Sequence, residues 1–471
     1  MKTFAHPKIH GFGQSVFSEM SRLAREHDAV NLGQGFPDFP GPDFVKTAAV
    51  AAINADRNQY AISHGEPSLR QAIAASWGTA HDLPVDPATE VTVTSGATEA
   101  IFAALQAFAG SGDEVIAFEP FYDSYPAATV LAGAMFVPVR LHPPDWALML
   151  EALEAAVTPQ TRVILLNTPH NPTGKVFTRP ELESIAELAM RRDLLVITDE
   201  VYDQITFGHA THLPLATLPG MWERTLTIGS TGKTFSMTGW KIGYAIGPEA
   251  LNSALRSVHQ FVTFASATPF QVAMAEAMYV AQESGYYEQL RSEYDARRRL
   301  LTNGLRDAGL EPFPIGGSYF LTADVSRFGF DTDVEFCRWM VREIGVAAVP
   351  PSAFYLEPAT APVLARFCFA KSDQTLNEAR ERLARLASRY LRDLCPAAAG
   401  HGCPTYGGGR RATGSRTTAV GGRPRAGSLD IRVVRRLQLA LRYGESTTRI
   451  VARWRSAAPE MYMPCAAPAR R

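Results

Sequence analysis

Short apolar runs recur between about residue 90 and residue 247, and segments with helical periodicity separate several of them. The runs are Val91–Thr94, Glu114–Phe118, Met135–Val139, Arg162–Leu166, Leu194–Thr198, Thr225–Ile228 and Lys241–Ile246. Most of them are apolar on successive residues, which is typical of strands that are buried on both faces. Amphipathic stretches such as Thr98–Phe108 and Arg179–Arg191 lie between runs. The alternation predicts an α/β fold built on a large, mainly parallel, doubly wound sheet.

The pattern changes after Gly247, where the chain becomes mainly helical. A long polar helix is predicted over Tyr286–Ala308, and a mixed α+β pattern follows from Phe313 to Leu386. This second pattern includes predicted strands at 318–323, 346–349 and 365–369. We therefore predict four parts: an N-terminal segment and lid (1–44) that joins a small domain, a large domain (45–290), the smaller α+β domain (291–395) and a tail (396–471).

Composition changes this picture mainly at the C-terminus. Residues 396–471 contain 14 arginines, no lysine and three acidic residues, and they are rich in Gly, Ala and Pro. We predict a disordered, dispensable extension, although its charge would also suit nucleic-acid phosphates. Residues 1–395 carry 32 basic against 44 acidic side chains. That acidic balance argues against a nucleic-acid role for the main body.

Cysteine usage and hydropathy bear on the compartment. The five cysteines show no CxxC pairing and no histidine at ligand spacing: Cys337, Cys368, Cys395, Cys403 and Cys465. We expect free thiols in a reducing compartment, with no metal site and no disulfide framework. No stretch reaches the roughly 20 apolar residues that a membrane span requires, and the N-terminus lacks the pattern of a signal peptide. These features predict a cytoplasmic protein.

The densest chemical signal follows a predicted strand, in the sequence IGSTGKTFSMTGWKIGY at 228–244. It contains Lys233 and Lys241, two of only seven lysines in a chain with 39 arginines. A lysine among small residues at a strand end can lose its proton and form a Schiff base with a carbonyl compound. Two solvated loop lysines are the alternative explanation. A P-loop is excluded, because its first glycine would fall at Thr227.

Three further segments also follow predicted strands. They are TSGATEA at 94–100, NTPHNPTG at 167–174 and ITDEVY at 197–202. The first can present backbone N–H groups and a hydroxyl to a phosphate at a helix N-terminus. The other two have ordinary explanations when taken alone, as a turn and as a helix cap. All four segments point to one edge of the sheet, where such folds bind ligands.

Together the four segments resemble the class I aminotransferases, which are fold-type I enzymes dependent on pyridoxal 5′-phosphate (PLP). The pattern S-x-x-K-T-F-S-x-T-G-W-K-x-G-Y looks like that family's cofactor-lysine signature. The resemblance implies that Lys233 carries PLP as a Schiff base and acts as the catalytic base. It covers roughly residues 8–395 and does not reach the tail.

The same resemblance implies roles around the cofactor. Asp199 would face the pyridine nitrogen and keep it protonated, so that the ring can accept electrons. Asn171 and Tyr202 would share the phenolic oxygen, and Tyr122 would stack on the ring. The phosphate would be held by Ser95, Gly96, Ala97, Ser230 and Lys241, and by Tyr60 from a partner subunit. Because Tyr60 and the segment HQFVTF at 259–264 would serve the partner's site, a homodimer is implied.

Substrate binding is implied at two further segments. In ARFCFAK at 365–371, Arg366 would hold the substrate α-carboxylate in a bidentate pair, with Asn171 nearby. NLGQGFPDF at 31–39 resembles the substrate-lid segment of a subgroup that includes kynurenine/glutamine, methionine and succinyl-diaminopimelate aminotransferases. Gly35 in that segment would bring backbone near the carboxylate.

The expected activity is transfer of an amino group from an L-amino acid to a 2-oxo acid, with ping-pong kinetics. No second arginine can be aimed at a side-chain carboxylate, which favours aromatic, sulfur-containing or glutamine-like donors. Candidates for an apolar pocket are Phe12, Phe36, Tyr60, Tyr122 and Phe354. A PLP-dependent C–S β-lyase and a succinyl-diaminopimelate aminotransferase stay open as alternatives. A ligand-sensing regulator is disfavoured, because the resemblance begins near residue 8 and leaves no room for a DNA-binding domain before it.

Overall fold

The computed structural model describes residues 4, 6–9, 12–13 and 15–394, with side chains up to residue 386. The predicted tail at 396–471 lies outside this part. The strands of the described part are β1 (Val30–Asn31), β2 (Val91–Ser95), β3 (Glu114–Glu119), β4 (Met135–His142), β5 (Ala147–Leu148), β6 (Thr161–Asn167), β7 (Leu195–Asp199), β8 (Thr225–Ser230), β9 (Ile242–Ile246), β10 (Phe320–Asp324), β11 (Val346–Ala347) and β12 (Leu364–Cys368).

Helices connect most of these strands. They are α1 (Val16–Glu26), α2 (Asp43–Asn54), α3 (Pro67–His81), α4 (Ala97–Phe108), α5 (Ser124–Ala132), α6 (Leu150–Ala156), α7 (Arg179–Arg192), α8 (Thr231–Thr234), α9 (Glu249–Val262), α10 (Thr268–Ser284), α11 (Tyr286–Asp307), α12 (Asp333–Trp339) and α13 (Asp373–Leu394). Met1–Leu305 and Leu310–Leu383 form one compact unit, which contains every site described below. Arg306–Gly309 and the chain from Ala384 onward form a second unit, most of which is outside the described residues.

Eight strands form the central sheet in the order β2-β9-β8-β7-β6-β3-β4-β5. The pairs from β4 through β3, β6 and β7 to β8 are parallel. All seven strands predicted from apolar runs are present, and the α/β fold class is confirmed. The runs are continuous because both faces of the sheet are buried. In β3, Val115 and Ala117 pack with α4 and α5, whereas Ile116 and Phe118 pack with α6 and α7.

Strand β9 departs from the parallel pattern, since it runs antiparallel to both of its neighbours, β8 and β2. The connection from β8 to β9 spans only 231–241 and contains the four-residue helix α8. A parallel neighbour requires a crossover of about a dozen or more residues, so this short connection returns the chain antiparallel. The start of β9 therefore lies beside the ends of β8 and β2, with Gly243 opposite Ser230 and Ile242 opposite Ser95.

Two small sheets lie in the predicted second domain. Strands β10 and β12 pair antiparallel, and β1 pairs parallel with β11 through Val30–Val346 and Asn31–Ala347. The N-terminal segment thus joins the C-terminal part of the chain through main-chain hydrogen bonds. The four segment boundaries given above stay a prediction.

The expectations about cysteines and membrane spans can be compared with the structure only for the described residues. Cys337 and Cys368 are buried free thiols, and the other three cysteines lie outside the described residues. Within the described part, no helix has the length and apolar character that a membrane crossing requires. No cluster of His, Cys, Asp and Glu able to hold a metal ion occurs there either.

Candidate functional site

One edge of the central sheet brings together the segments that the sequence singles out. The carboxyl ends of β2, β3, β6, β7 and β8 meet at this edge, as they must when parallel strands share a sheet. The start of antiparallel β9 joins them. Side chains that follow different strands, and are far apart in sequence, therefore line a common cavity.

That cavity has a volume of about 320 Å³. Its lining includes eleven residues predicted from the sequence: Gly35, Gly96, Ala97, Tyr122, Asn171, Asp199, Tyr202, Ser230, Lys233, Lys241 and Arg366. Two residues predicted to hold the cofactor phosphate are not among the lining. Ser95 precedes the turn and donates its backbone N–H to Glu99 Oε2 (2.5 Å), and Tyr60 is 87% exposed on the surface.

One end of the cavity is suited to an anion. It is formed by the first turn of α4, where the N–H groups of Ala97 and Thr98 have no intrahelical acceptor. Gly96 has φ +78°, and a Cβ there would lie 2.9 Å from Lys241 Nζ. A Cβ on Gly243 would overlap the backbone of Gly96 and Ala97. Two glycines therefore allow the helix terminus, the lysine and β9 to approach closely.

Lys233 lies in the middle of the cavity wall, in the short helix α8 directly after β8. Its Nζ is 5.6 Å from the ring centre of Tyr202 and 5.7 Å from that of Tyr319. Burial lowers the pKa of Lys233 to about 8, with nearby Cys368 and Asp199 acting in the opposite direction. Because a lysine must lose its proton to act as a nucleophile or base, this environment prepares it for both roles.

Asp199, the last residue of β7, is a buried carboxylate at the floor of the cavity. Its Oδ2 accepts a hydrogen bond from the Tyr125 hydroxyl at 2.6 Å. Burial raises the pKa of Asp199 to about 6, and the bond from Tyr125 acts against that increase. Asn167 Nδ2 donates to the Asp199 carbonyl at 2.8 Å and so ties β6 to β7 at this point. A cationic partner would stabilise such a carboxylate strongly.

Tyr202 and Tyr319 connect the cavity to the N-terminal segment. The rings of the two tyrosines are in edge-to-face contact, with centres 5.0 Å apart, and burial raises the pKa of both hydroxyls. Tyr319 also donates to the Gly35 carbonyl at 2.5 Å. The Gly35 backbone thereby lies at the cavity, as the sequence predicts.

Arg366 in β12 is fully buried. Its Nη1 donates to Asn171 Oδ1 (2.9 Å) and its Nη2 to the Gly33 carbonyl (3.0 Å), whereas Nε has no hydrogen-bond partner among the described residues. Burial lowers the pKa of Arg366 to about 10. The Phe320 ring centre lies 4.0 Å from the guanidinium carbon, which favours the cation. A carboxylate is the ligand that this arrangement fits.

Apolar side chains cover another part of the lining: Phe17, Phe36, Ile101 and Phe320. Of the aromatic residues suggested from the sequence, Phe36 and Tyr122 are at the cavity. Phe354 is instead buried behind it, where it packs on Phe17 with ring centres 5.7 Å apart. Phe12 is 42% exposed and is not in the lining.

Several lining or supporting residues escaped the sequence prediction. Tyr125, Asn167, Phe17, Phe320 and Tyr319 belong to this group. Tyr125 carried a usable signal, because a tyrosine in an apolar helix needs a partner for its hydroxyl. Asn167 ends β6 and begins the segment NTPHNPTG, so its position was marked although its role was not predicted. Phe17, Phe320 and Tyr319 come from elements that fold back over the sheet, and no local motif marks them.

The cavity residues fit PLP. Donors for a phosphate lie at one end, and a buried carboxylate, which has no cationic hydrogen-bond partner among the described residues, is available for a ring nitrogen. A lysine with a lowered pKa and the Tyr122 ring line the same cavity. When bound, PLP would supply an electron-accepting ring, which none of the amino-acid side chains provides.

Comparisons with known proteins agree with this geometry. Residues 27–383 match the family described as aminotransferase class I and II. A probable N-succinyldiaminopimelate aminotransferase of Mycobacterium tuberculosis is 46% identical over 393 residues, covering 81% of this chain and 98% of that protein. Mouse kynurenine–oxoglutarate transaminase 3 is 40% identical over 402 residues (79% and 88%). The crystal structure of a methionine aminotransferase of Escherichia coli superposes with a TM-score of 0.79 at 39% identity, covering 82% of this chain and all of that one.

Proposed function

Because this chain belongs to the class I and II aminotransferases, which depend on PLP, we propose that Lys233 is its cofactor lysine and catalytic base. The chain is thus an enzyme that acts on amino acids and 2-oxo acids. The observation that carries the residue assignment is one cavity lined by Lys233, Asp199 and Arg366. These three supply a base, a ring-nitrogen partner and a carboxylate clamp, which transamination requires.

Each residue then has a defined task in proton transfer. Arg366 and Asn171 hold the α-carboxylate, so that the Cα–H bond points toward Lys233. The Lys233 amine, neutral above about pH 8, would take the Cα proton and deliver it to the C4′ carbon of the cofactor. Asp199, oriented by Tyr125, balances a positive charge on the ring nitrogen. Ping-pong kinetics follow, because the first oxo acid leaves before the second one binds.

The phosphate is assigned to the anion-suited end of the cavity. Ala97 and Thr98 offer N–H groups there, Lys241 offers an ammonium group and Ser230 a hydroxyl. The N–H of Ser95 is occupied by Glu99, so Ser95 contributes to this end by supporting the turn. Charge-assisted bonds of this kind are about twice as strong as neutral ones.

The rest of the cavity lining favours an amino-acid substrate with an uncharged side chain. Phe17, Phe36, Ile101 and Phe320 are apolar, and among the described residues the lining cations are Lys233, Lys241 and Arg366. All three have tasks in the scheme above, which leaves none of them for a side-chain carboxylate. We therefore propose methionine, aromatic amino acids and glutamine as amino donors, in line with the names of two of the relatives.

N-succinyldiaminopimelate is the second candidate substrate. It is favoured by the 46% identity to the mycobacterial protein of that name, compared with 39–40% for the methionine and kynurenine enzymes. This substrate carries further carboxylates, for which the lining of a single chain offers no free cation. A partner subunit would have to provide one.

A homodimer is proposed from an apolar surface, here called the dimer patch. Its members are exposed although they are apolar: Val50, Ile53, Tyr60, Ile62, Phe261, Val262 and Phe264. Tyr60 and Phe264 are in edge-to-face contact at 5.4 Å, and Phe261 is 85% exposed. Contiguous apolar patches of this kind mark interaction sites. Phe261→Glu should yield monomers in analytical ultracentrifugation, whereas Met190→Glu, on α7, should not.

A cytoplasmic location is proposed from the thiols. Cys337 and Cys368 are both free, as is usual in a reducing compartment. Fractionation of cells that produce the full chain tests this proposal, and recovery in an extracytoplasmic fraction would contradict it.

The decisive experiment is a half-reaction screen. The PLP-loaded enzyme is mixed with single amino acids, and the visible cofactor band is followed as it converts to the pyridoxamine form. Methionine, phenylalanine, glutamine and N-succinyldiaminopimelate are the test set, with aspartate as the control expected to react poorly. Conversion by none of them would contradict the assignment of Lys233. Pyruvate released from cystathionine without an added oxo acid would favour the β-lyase.

A further inference from the structure

A buried acid–base pair lies directly beneath the turn assigned to the phosphate, outside the cavity lining. His259 of α9 has 0% exposure, and its Nδ1 is 2.6 Å from Glu99 Oε1 of α4. Glu99, 8% exposed, uses its other oxygen to accept the Ser95 backbone N–H at 2.5 Å. The histidine's second nitrogen, Nε2, lies 2.7 Å from the Ser63 carbonyl. The pair joins four segments of the chain.

The hydrogen-bond geometry fixes the number of protons on this pair. A carbonyl oxygen can only accept, so Nε2 must carry a hydrogen. Glu99 Oε2 accepts from Ser95, and a contact of 2.6 Å between Nδ1 and Oε1 requires a second hydrogen between them. The pair therefore holds one proton more than a neutral histidine beside a carboxylate. Without it, two lone pairs would face each other in a buried site.

The neighbouring charges are few. Arg256 lies on the same helix, donating to Thr92 Oγ1 and the Val91 carbonyl. His64 lies on the segment opposite, and burial, aided by Arg256 and then Arg70, lowers its pKa to about 4. Burial also lowers the pKa of His259, but the hydrogen bond and charge of Glu99 outweigh burial, and the net shift is upward. His259 thus holds its proton more tightly than a free imidazole does.

The Ser63 end of the pair leads to the dimer patch. Ser63 lies three residues after Tyr60, whose ring contacts Phe264. Thr268 Oγ1 donates to the Gln59 carbonyl at 2.6 Å and fixes the other end of this segment. The Thr263 hydroxyl, one residue before Phe264, lies 3.3 Å from His259 Nδ1. One imidazole is thereby linked through Glu99 to the phosphate turn, and it directly contacts the segment proposed to serve the partner subunit.

We propose that Glu99 and His259 are positioning residues, whose shared proton holds the Ser95–Ala97 turn in the conformation that binds the cofactor phosphate. Loss of that proton at alkaline pH releases the turn and weakens cofactor binding. This inference rests on the proposed phosphate site. Neither residue touches the cofactor, so the effect passes through the Ser95 backbone.

Glu99→Gln separates the proton from the hydrogen bonds. The glutamine amide can donate to Nδ1 of a neutral histidine and still accept from the Ser95 N–H, so every bond survives without the extra proton. Affinity for pyridoxamine 5′-phosphate is measured by fluorescence from about pH 6 to about pH 10. This probe cannot form an imine with Lys233. Wild-type affinity should fall about tenfold relative to the variant across this range, the order expected for a lost charge-assisted bond.

Three companion variants sharpen the test. His259→Gln can still donate to Ser63 but leaves Glu99 without its partner, and should weaken binding at every pH. His64→Gln is the matched control, since His64 is the adjacent histidine and does not bond Glu99; its pH profile should follow that of the wild type. Gly96→Ala, which disturbs the turn itself, tests the phosphate site independently of the pair.

The outcomes separate the inference from its premise. A pH-independent ratio of wild-type to Glu99→Gln affinity, with Gly96→Ala impaired, overturns the role of the pair and leaves the phosphate site standing. Normal affinity in Gly96→Ala overturns the phosphate site itself. If Glu99→Gln does not fold, His259→Gln decides, because unchanged affinity in that variant contradicts the proposal. Thermal unfolding of each variant shows whether weaker binding comes from general destabilisation of the fold. Such destabilisation would weaken binding without the pH dependence expected for the pair.

Discussion

At the scale of single residues, burial determines what the ionisable groups of the cavity can do. The pKa of Lys233 is lowered and that of Asp199 is raised, so each is less charged than in water, because both side chains are buried. The lysine becomes available as a base near neutral pH, and the carboxylate becomes ready to accept a cationic partner. Groups poised in this way occur preferentially at functional sites.

Replacing Lys233 with Ala should abolish turnover while leaving the fold intact. The half-reaction rate should fall by at least about a thousandfold, since a general base contributes roughly that much. In the wild type, the rate of loading the cofactor-free protein with PLP should rise with pH through about 8, where Lys233 loses its proton. Stopped-flow absorbance measures both, and Lys46→Ala on the exposed surface of α2 is the control. A loading rate independent of pH would contradict the assigned pKa.

Tyr125→Phe should impair catalysis without touching the substrate. It removes the donor that favours ionised Asp199, so the pKa of that carboxyl should rise further above about 6. We expect a roughly tenfold lower kcat, the order for losing a hydrogen bond to a charged group. The acid limb of the pH profile should also move to higher pH. Tyr279→Phe, an exposed position, should leave the profile unchanged.

At the scale of elements, the strand pattern was predictable because burial on both faces leaves a continuous apolar run. The site segments were predictable for a related reason, since ligands gather at the carboxyl ends of such strands. The direction of β9 was not predicted, although the short connection 231–241 implies it. Tyr319 and Phe17 were beyond reach, because they arrive from β10 and α1 through tertiary packing alone.

Gly243 is a position in β9 where the structure leaves no room for added volume. Gly243→Ala would push β9 against the backbone of Gly96 and Ala97, and the phosphate turn would have to move. We expect a loss of about 1–3 kcal/mol in the free energy of unfolding, together with weaker PLP binding. Gly239→Ala, in the same connection, meets no atom within 4 Å and should be tolerated. Calorimetry and a PLP titration provide the comparison, and equal behaviour of the two variants would refute the argument.

At the scale of the whole molecule, the family match covers residues 27–383, and every cavity-lining residue except Phe17 lies within that range. The described residues that line the cavity all precede the arginine-rich tail. A chain that stops after residue 395 should therefore keep its PLP content and its kcat/KM to within about twofold, as is usual when a terminus without a role in the site is removed. Gel filtration and steady-state assays test this. An inactive truncation would assign the tail a structural role.

The environment of Arg366 links the stability of the enzyme to ligand binding. Its guanidinium is held away from water by phenyl rings, and among the described residues no carboxylate lies at hydrogen-bond distance from it. Folding therefore buries a positive charge without a direct ion pair, which is a source of latent instability. The carboxylate of a substrate or of a simple dicarboxylate would pair with this cation, so binding of such a ligand should raise the melting temperature of the enzyme. The enzyme should therefore be least stable to heat when no carboxylate ligand is bound.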